Sequence, residues 1–166
     1  MKLRLASALL PALLLAQTAS AEQAFVTTRV MSFEIANQLA VEAAQACRKQ
    51  GYQVTASVVD RNGTLLAVAR DPLAGTHTIE VSRLKARTAA SFQTPTLEMQ
   101  QGNFEGLRFA PDVLLIGGGV PVRIGGQFYG AVGISGAPAK KISGDVDDEC
   151  ARAGIDAIRE AIEFAE

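Results

Sequence analysis

The chain has 166 residues, with 16 Lys and Arg, 17 Asp and Glu, one His and no Trp. A single histidine excludes zinc sites built on two or more, and without a CxxCH run haem cannot be attached covalently in the c-type manner. A formal net charge of −1 argues against nucleic acid as a partner, because binding phosphates takes a basic patch.

Residues 1–21 read as a secretory signal peptide. Lys2 and Arg4 form the positive end, 5–15 the apolar stretch, and Ala19-Ser20-Ala21 a small-residue cleavage site. The remaining 22–166 is the length of one domain. No later apolar run approaches the roughly 20 residues of a membrane span. A periplasmic or secreted protein with no membrane span is the expectation.

A helix is predicted over 32–50. Ser32 can cap it, Ile35, Leu39, Ala43 and Ala46 recur on one face, and Gly51 ends it after Arg48 and Lys49. Residues 53–59 and 64–70 form two strands around the turn Asp60-Arg61-Asn62-Gly63. After a loop over 71–75, a helix is predicted over about 77–92, lined on one side by Val81, Leu84, Thr88 and Phe92. A break at Thr94-Pro95 precedes a short helix near 96–105, and 106–111 is a loop. Residues 113–116 form an apolar strand that the glycines 117–119 interrupt. It resumes over 120–124, turns at Gly125-Gly126 and returns over 128–135. The last helix covers 145–164, with Asp145, Asp147, Asp148 and Glu149 in its first turns, where the helix dipole favours anions.

The predicted order is α-β-β-α-α-β-β-α. Strands that arrive as hairpins make an antiparallel sheet flanked by helices, an α+β fold. The helices are expected on one face, leaving the other for a ligand or a second subunit. The nearest approach to a nucleophile elbow, Gly133-Ile-Ser135-Gly-Ala137, lacks its final glycine, and no P-loop lysine follows the glycines at 117–119.

Four stretches occur in a set order. They are Ser57-Val-Val-Asp60-Arg-Asn-Gly63; Arg70 with Lys85-Ala-Arg-Thr-Ala89; Gly117-Gly-Gly-Val-Pro121-Val-Arg-Ile-Gly-Gly126 leading into Gly130-Ala-Val-Gly-Ile-Ser-Gly136; and Asp145 followed by Cys150-Ala-Arg-Ala-Gly-Ile155. Together, over about 33–161, they resemble the GlcG/HbpS-type haem-binding family. The resemblance implies a profilin-like sheet, homo-oligomers, and non-covalent haem binding in some members, including exported ones that respond to haem or redox stress. Related domains accompany glycolate-utilisation operons and form the C-terminal part of some corrinoid adenosyltransferases. Two functions follow from it. One is an exported haem carrier or haem- and redox-responsive accessory or sensor. The other is an enzyme or accessory protein acting on a hydroxy- or oxo-acid.

The candidate ligand-binding residues are Arg70, His77, Glu80, Lys85, Gly118, Gly119 and Pro121. His77 stands near a helix start, where the dipole disfavours imidazolium, and neutral imidazole is the form that haem iron takes. It can also be a plain surface or capping residue. A second axial ligand is Met99, Tyr52, Tyr129 or none. Arg70 and Lys85 suit carboxylates such as haem propionates, or an internal salt bridge. Lys85 or Glu80 could move a proton on an acid substrate if burial shifted its pKa. Arg83 and Arg87 read as a solvated face. The glycines 117–119 with Pro121 make either a phosphate nest or a bulge that shapes the sheet. Phe92, Phe104 and Phe109 are candidate ring contacts, although aromatics make up only 5 %, which fits an exposed site better than a deep one. Cys47 and Cys150 stay open to three states: a disulfide, two buried thiols or a redox switch.

Overall fold

The computed structural model describes residues 24–165; the predicted signal peptide and its cleavage site lie outside them. Helix α1 (Phe33–Lys49) is capped by Ser32, whose hydroxyl accepts from Ile35 N at 3.3 Å. It buries Ala36, Leu39, Ala40, Ala43 and Cys47. Strands β1 (Thr55–Val59) and β2 (Leu65–Arg70) form the first hairpin. Its turn is tightened by the Asp60 carboxylate, which accepts from Asn62 N and Thr64 N. Helix α2 (Thr78–Phe92) and a short α3 (Thr96–Gln101) follow. The stretch expected as a plain loop after them contains a 3-10 turn over Glu105–Phe109. Strands β3 (Gly119–Ile124) and β4 (Gln127–Ser135) meet at Gly125-Gly126, both at positive φ as a two-residue hairpin turn requires. Helix α4 (Asp145–Glu163) closes the chain.

The sheet order is β2-β1-β4-β3, antiparallel throughout. Every residue of β1 is buried, so both faces of the sheet must be covered. Ala56, Val58, Val132 and Ile134 share one apolar core with Leu39, Ala43, Ile155 and Ile158 of α1 and α4. On the opposite face Val59 and Ala131 meet Ala86, Ala89 and Ala90 of α2. The expectation of helices on one face is therefore corrected: α1 and α4 take one face and α2 the other. The alternation within β1 between apolar residues and the hydroxyls of Thr55 and Ser57 concealed this, because both sets are buried.

A second correction concerns which side of α2 faces inward. The bulkier stripe of Val81, Leu84 and Phe92 is only partly buried, whereas Ser82, Ala86 and Ala89 are fully buried. The helix lies too close to the strands for large side chains. Gly119 and Gly133 pair across β3 and β4 beneath it. A Cβ on Gly133 would stand 2.1 Å from Ser82 O, and one on Gly119 2.3 Å from Lys85 O. Two hydroxyl pairs bridge the gap: Thr55 with Thr78 at 2.6 Å and Ser57 with Ser82 at 2.8 Å.

Residues 113–116 are not a strand, and the glycines do not interrupt one; Gly119 begins β3. The segment is held by side chains instead of a ladder. Leu114 N donates to Thr88 Oγ1 at 2.9 Å and Gly117 N to Gln100 Oε1 at 2.7 Å. Cys47, late in α1, and Cys150, early in α4, are joined in a disulfide with their Cα atoms 5.4 Å apart.

Candidate functional site

The amino-terminal ends of α2 and α4 converge beside the last residues of β4. Between them lies a cleft of about 280 Å³, with His77 at its mouth and Lys85, Ser135, Gly136, Gly144 and Asp147 among its walls. His77 occupies the N-cap position of α2, is exposed, and makes no side-chain cap; its ring lies against Gly75. The first-turn N–H groups of α2 turn to backbone instead: Thr78 N donates to Gly75 O at 3.0 Å and Ile79 N to Thr76 O at 3.4 Å. At α4 the opposite holds. Asp145 accepts from the backbone N–H of Lys140, Lys141, Ile142 and Val146. Burial pushes this carboxyl up, but those four donors together bring it down to about 2.

Beneath the cleft is a buried ion pair. Lys85 Nζ donates to Asp147 Oδ2 at 2.7 Å and to Ile134 O at 2.9 Å, and only 2 % of Lys85 is exposed. Asp147 Oδ1 accepts from Ala137 N at 3.1 Å. Burial pushes the lysine down from its ordinary value, opposed by the charge and hydrogen bond of Asp147. Burial likewise pushes Asp147 up, opposed by Lys85. Gly118, at φ +111°, makes room for the pair: a Cβ there would stand 2.6 Å from Asp147 Cβ and 3.0 Å from Lys85 Nζ. Next to it Asp148 Oδ2 accepts from Arg152 Nε at 2.6 Å, while its buried Oδ1 has no partner. Burial raises the Asp148 pKa against the pull of Arg152.

The structure brings His77, Lys85 and Gly118 to this one place and leaves the other candidates elsewhere. Arg70 donates to Ala74 O and lines a separate shallow cleft with Arg48 and Asp71. Glu80 is exposed and accepts from Arg83 Nε at 2.9 Å; this hydrogen bond lowers its pKa. The two groups offered for proton transfer, Lys85 and Glu80, therefore do not meet. Gly119 is covered by α2, with its N–H on Thr96 Oγ1 at 2.8 Å, so the glycine run does not form a phosphate nest. Pro121 belongs to a third cleft at the edge of the sheet. Met99 is buried, Tyr52 packs on the core, Tyr129 lines a groove beside Met31 and Ile162, and Phe109 is 91 % exposed. Phe92, Phe104 and Phe109 do not line the His77 cleft. The sequence assigns Asp147 only to the carboxylates that serve the helix dipole, not to the site. A lysine inside a run of small buried residues was the available signal that one of them had to turn inward.

The sequence matches the family model described as "Haem degrading protein HbpS-like" over residues 31–156. The chain belongs to this HbpS-like family. Protein GlcG of Escherichia coli K12 is 32 % identical over 112 residues, covering 66 % of this chain and 84 % of GlcG. A crystal structure of a double mutant of Streptomyces reticuli HbpS is 33 % identical with a TM-score of 0.74, covering 86 % of this chain and 97 % of that one. The structure of a PduOC–haem complex is 29 % identical with a TM-score of 0.69, covering 78 % and 96 %. The HbpS-like relatives thus share both the order of elements and the antiparallel sheet.

Proposed function

We propose that this protein is an exported haem-binding protein, a carrier or a haem- and redox-responsive accessory component, that holds haem non-covalently and edge-on at the His77 cleft. The observation that carries the reading is the exposed imidazole at the mouth of a cleft between the starts of α2 and α4. The family description and the haem complex of a neighbour support it. The residues present fit such a ligand only in part. Imidazole is a haem-iron ligand, and the positive end of the α2 dipole favours a propionate, although Thr78 N and Ile79 N already donate to Gly75 O and Thr76 O. A cleft of about 280 Å³ takes one edge of a macrocycle, and Lys85 is committed to Asp147 and Ile134 O, so it is not free for a propionate. Bound haem supplies a redox-active iron; the chain supplies an open ligand and an anion-favouring rim. Export rests on the charged, apolar and small-residue pattern of residues 1–21. A homo-oligomer, with a second copy over the mouth, would cover the exposed part of the ring.

Hemin titration of the purified protein, followed by absorbance, tests this. The expected result is a saturable, stoichiometric Soret shift that changes in His77→Ala. Saturable binding that ignores His77 would move the site elsewhere, and a featureless curve would end the haem reading.

A further inference from the structure

The cleft that holds Pro121, of about 370 Å³, opens where the end of α2, the free edge of β3 and α4 meet. It shares no wall residue with the His77 cleft. Its floor is apolar: Pro95, Val120, Pro121 and Ile155. Its rim carries three guanidinium groups from two elements, Arg123 on β3 and Arg152 and Arg159 on α4. Arg159 is paired with Asp156, itself a wall of the cleft, and with Glu163, and Arg152 is paired with the buried Asp148 through Nε. Arg123 has no carboxylate partner among the described residues. Its guanidinium lies 5.2 Å over the Phe128 ring and donates to Gln93 Oε1.

Two further features show that this arrangement is held in place. Gln93 sits just past α2 at φ 51° and ψ 30°, the left-handed conformation that glycine takes at helix ends without strain. A glutamine there keeps an amide oxygen on Arg123, which glycine could not. The edge of β3 is also closed to strand addition: Thr96 Oγ1 binds Gly119 N, and Pro121 has no N–H to offer. An added strand is therefore not what fills the cleft.

We propose that this cleft binds a small organic anion with a carboxylate on a flat apolar body, the carboxylate meeting Arg123 and the α4 arginines and the body resting on the two prolines and Ile155. Arginine forks match a carboxylate bidentately, and the floor adds burial that a bare ion cannot use. The site is independent of the haem reading.

The experiment is calorimetric titration of the purified protein with 1-naphthoate, with acetate and inorganic phosphate as comparison anions. Saturable one-to-one binding of naphthoate is expected, at least about tenfold tighter than either comparison anion. Arg123→Gln should weaken it by about tenfold. Gln93→Gly should weaken it by about threefold while the melting temperature holds or rises, because the backbone strain is relieved. Absence of saturable binding, or equal binding in Arg123→Gln, overturns the site. Phosphate binding as tight as naphthoate overturns the role of the apolar floor. Weakening that tracks a fall in melting temperature in both variants means the arginine and glutamine only support the fold, and also overturns it.

Discussion

Under α1 and α4 the sheet presents Ala56, Val58, Val132 and Ile134 to Leu39, Ala43, Ile155 and Ile158. Under α2 the same sheet presents Thr55, Ser57, Gly119 and Gly133 to Thr78, Ser82 and the backbone around Lys85. The first layer is held by apolar volume and a cross-link, the second by close approach and matched polar groups. Apolar volume can be redistributed among neighbours at modest cost, whereas a hydroxyl pair or a buried ion pair depends on each partner being present. The cleft with His77 lies against the second layer.

Breaking the cross-link should have the largest effect. Cys47 and Cys150 stand 103 positions apart, and closing a loop of that length is worth up to about 4.7 kcal/mol in the chain-entropy account. Replacing both by Ala should lower the denaturant midpoint accordingly, and the reduced native protein should match the variant. If the loss is under about 1 kcal/mol, the apolar layer holds α1 to α4 without help.

On the other face, Lys85→Met leaves Asp147 buried without its cation and should cost about 3–5 kcal/mol. Adding Asp147→Leu should recover most of that, since paired removal of a buried ion pair is often neutral. A double variant as unstable as the single one would assign the stability to the hydrogen bonds on Ile134 O and Ala137 N, and the contrast would then rest on hydrogen bonding, not charge.

Gly133→Ala tests the close approach itself. Its Cβ would meet Ser82 O, and overpacking of this kind should cost about 3 kcal/mol in chemical denaturation. The same substitution should distort the cleft, because α2 carries Lys85 and its N-cap is His77.

The order of elements and both hairpin turns were legible in the sequence, because Asn62-Gly63 and Gly125-Gly126 are local signals. What was not legible is which side of α2 faces inward. Periodicity ranks residues by hydrophobic bulk, and here the inward side was chosen for smallness, as Ser82 and Ala86 over Gly133 show. Nor could the sequence show that Lys85 meets Asp147 in place of Asp145 or Asp148, since adjacent helix residues differ only in direction. Of the candidate site, His77, Lys85 and Gly118 come together, and Arg70, Glu80, Gly119 and Pro121 serve other places.

The smallest effect sharpens the comparison at its border. Asp145 has a folded-state pKa of about 2 against an ordinary 3.8. A depressed pKa contributes stability that is present above 3.8 and is lost as pH falls from there through 2. Thermal melts across pH 2–5 should therefore show a steeper acid slope in the wild type than in Asp145→Ala. Equal slopes would mean that the loop before α4 keeps its shape without the carboxylate.

The sheet order carries a kinetic consequence. The two hairpins can form early from neighbouring residues, but β1 must then find β4, a partner from the opposite half of the chain. Pairings this distant in sequence set the pace of folding, because the intervening chain has to be drawn together first. The Cys47–Cys150 bond spans that same interval. A chain oxidised before it folds begins its search with the ends of that interval already tethered, so the surroundings in which the thiols meet should govern how quickly the molecule matures.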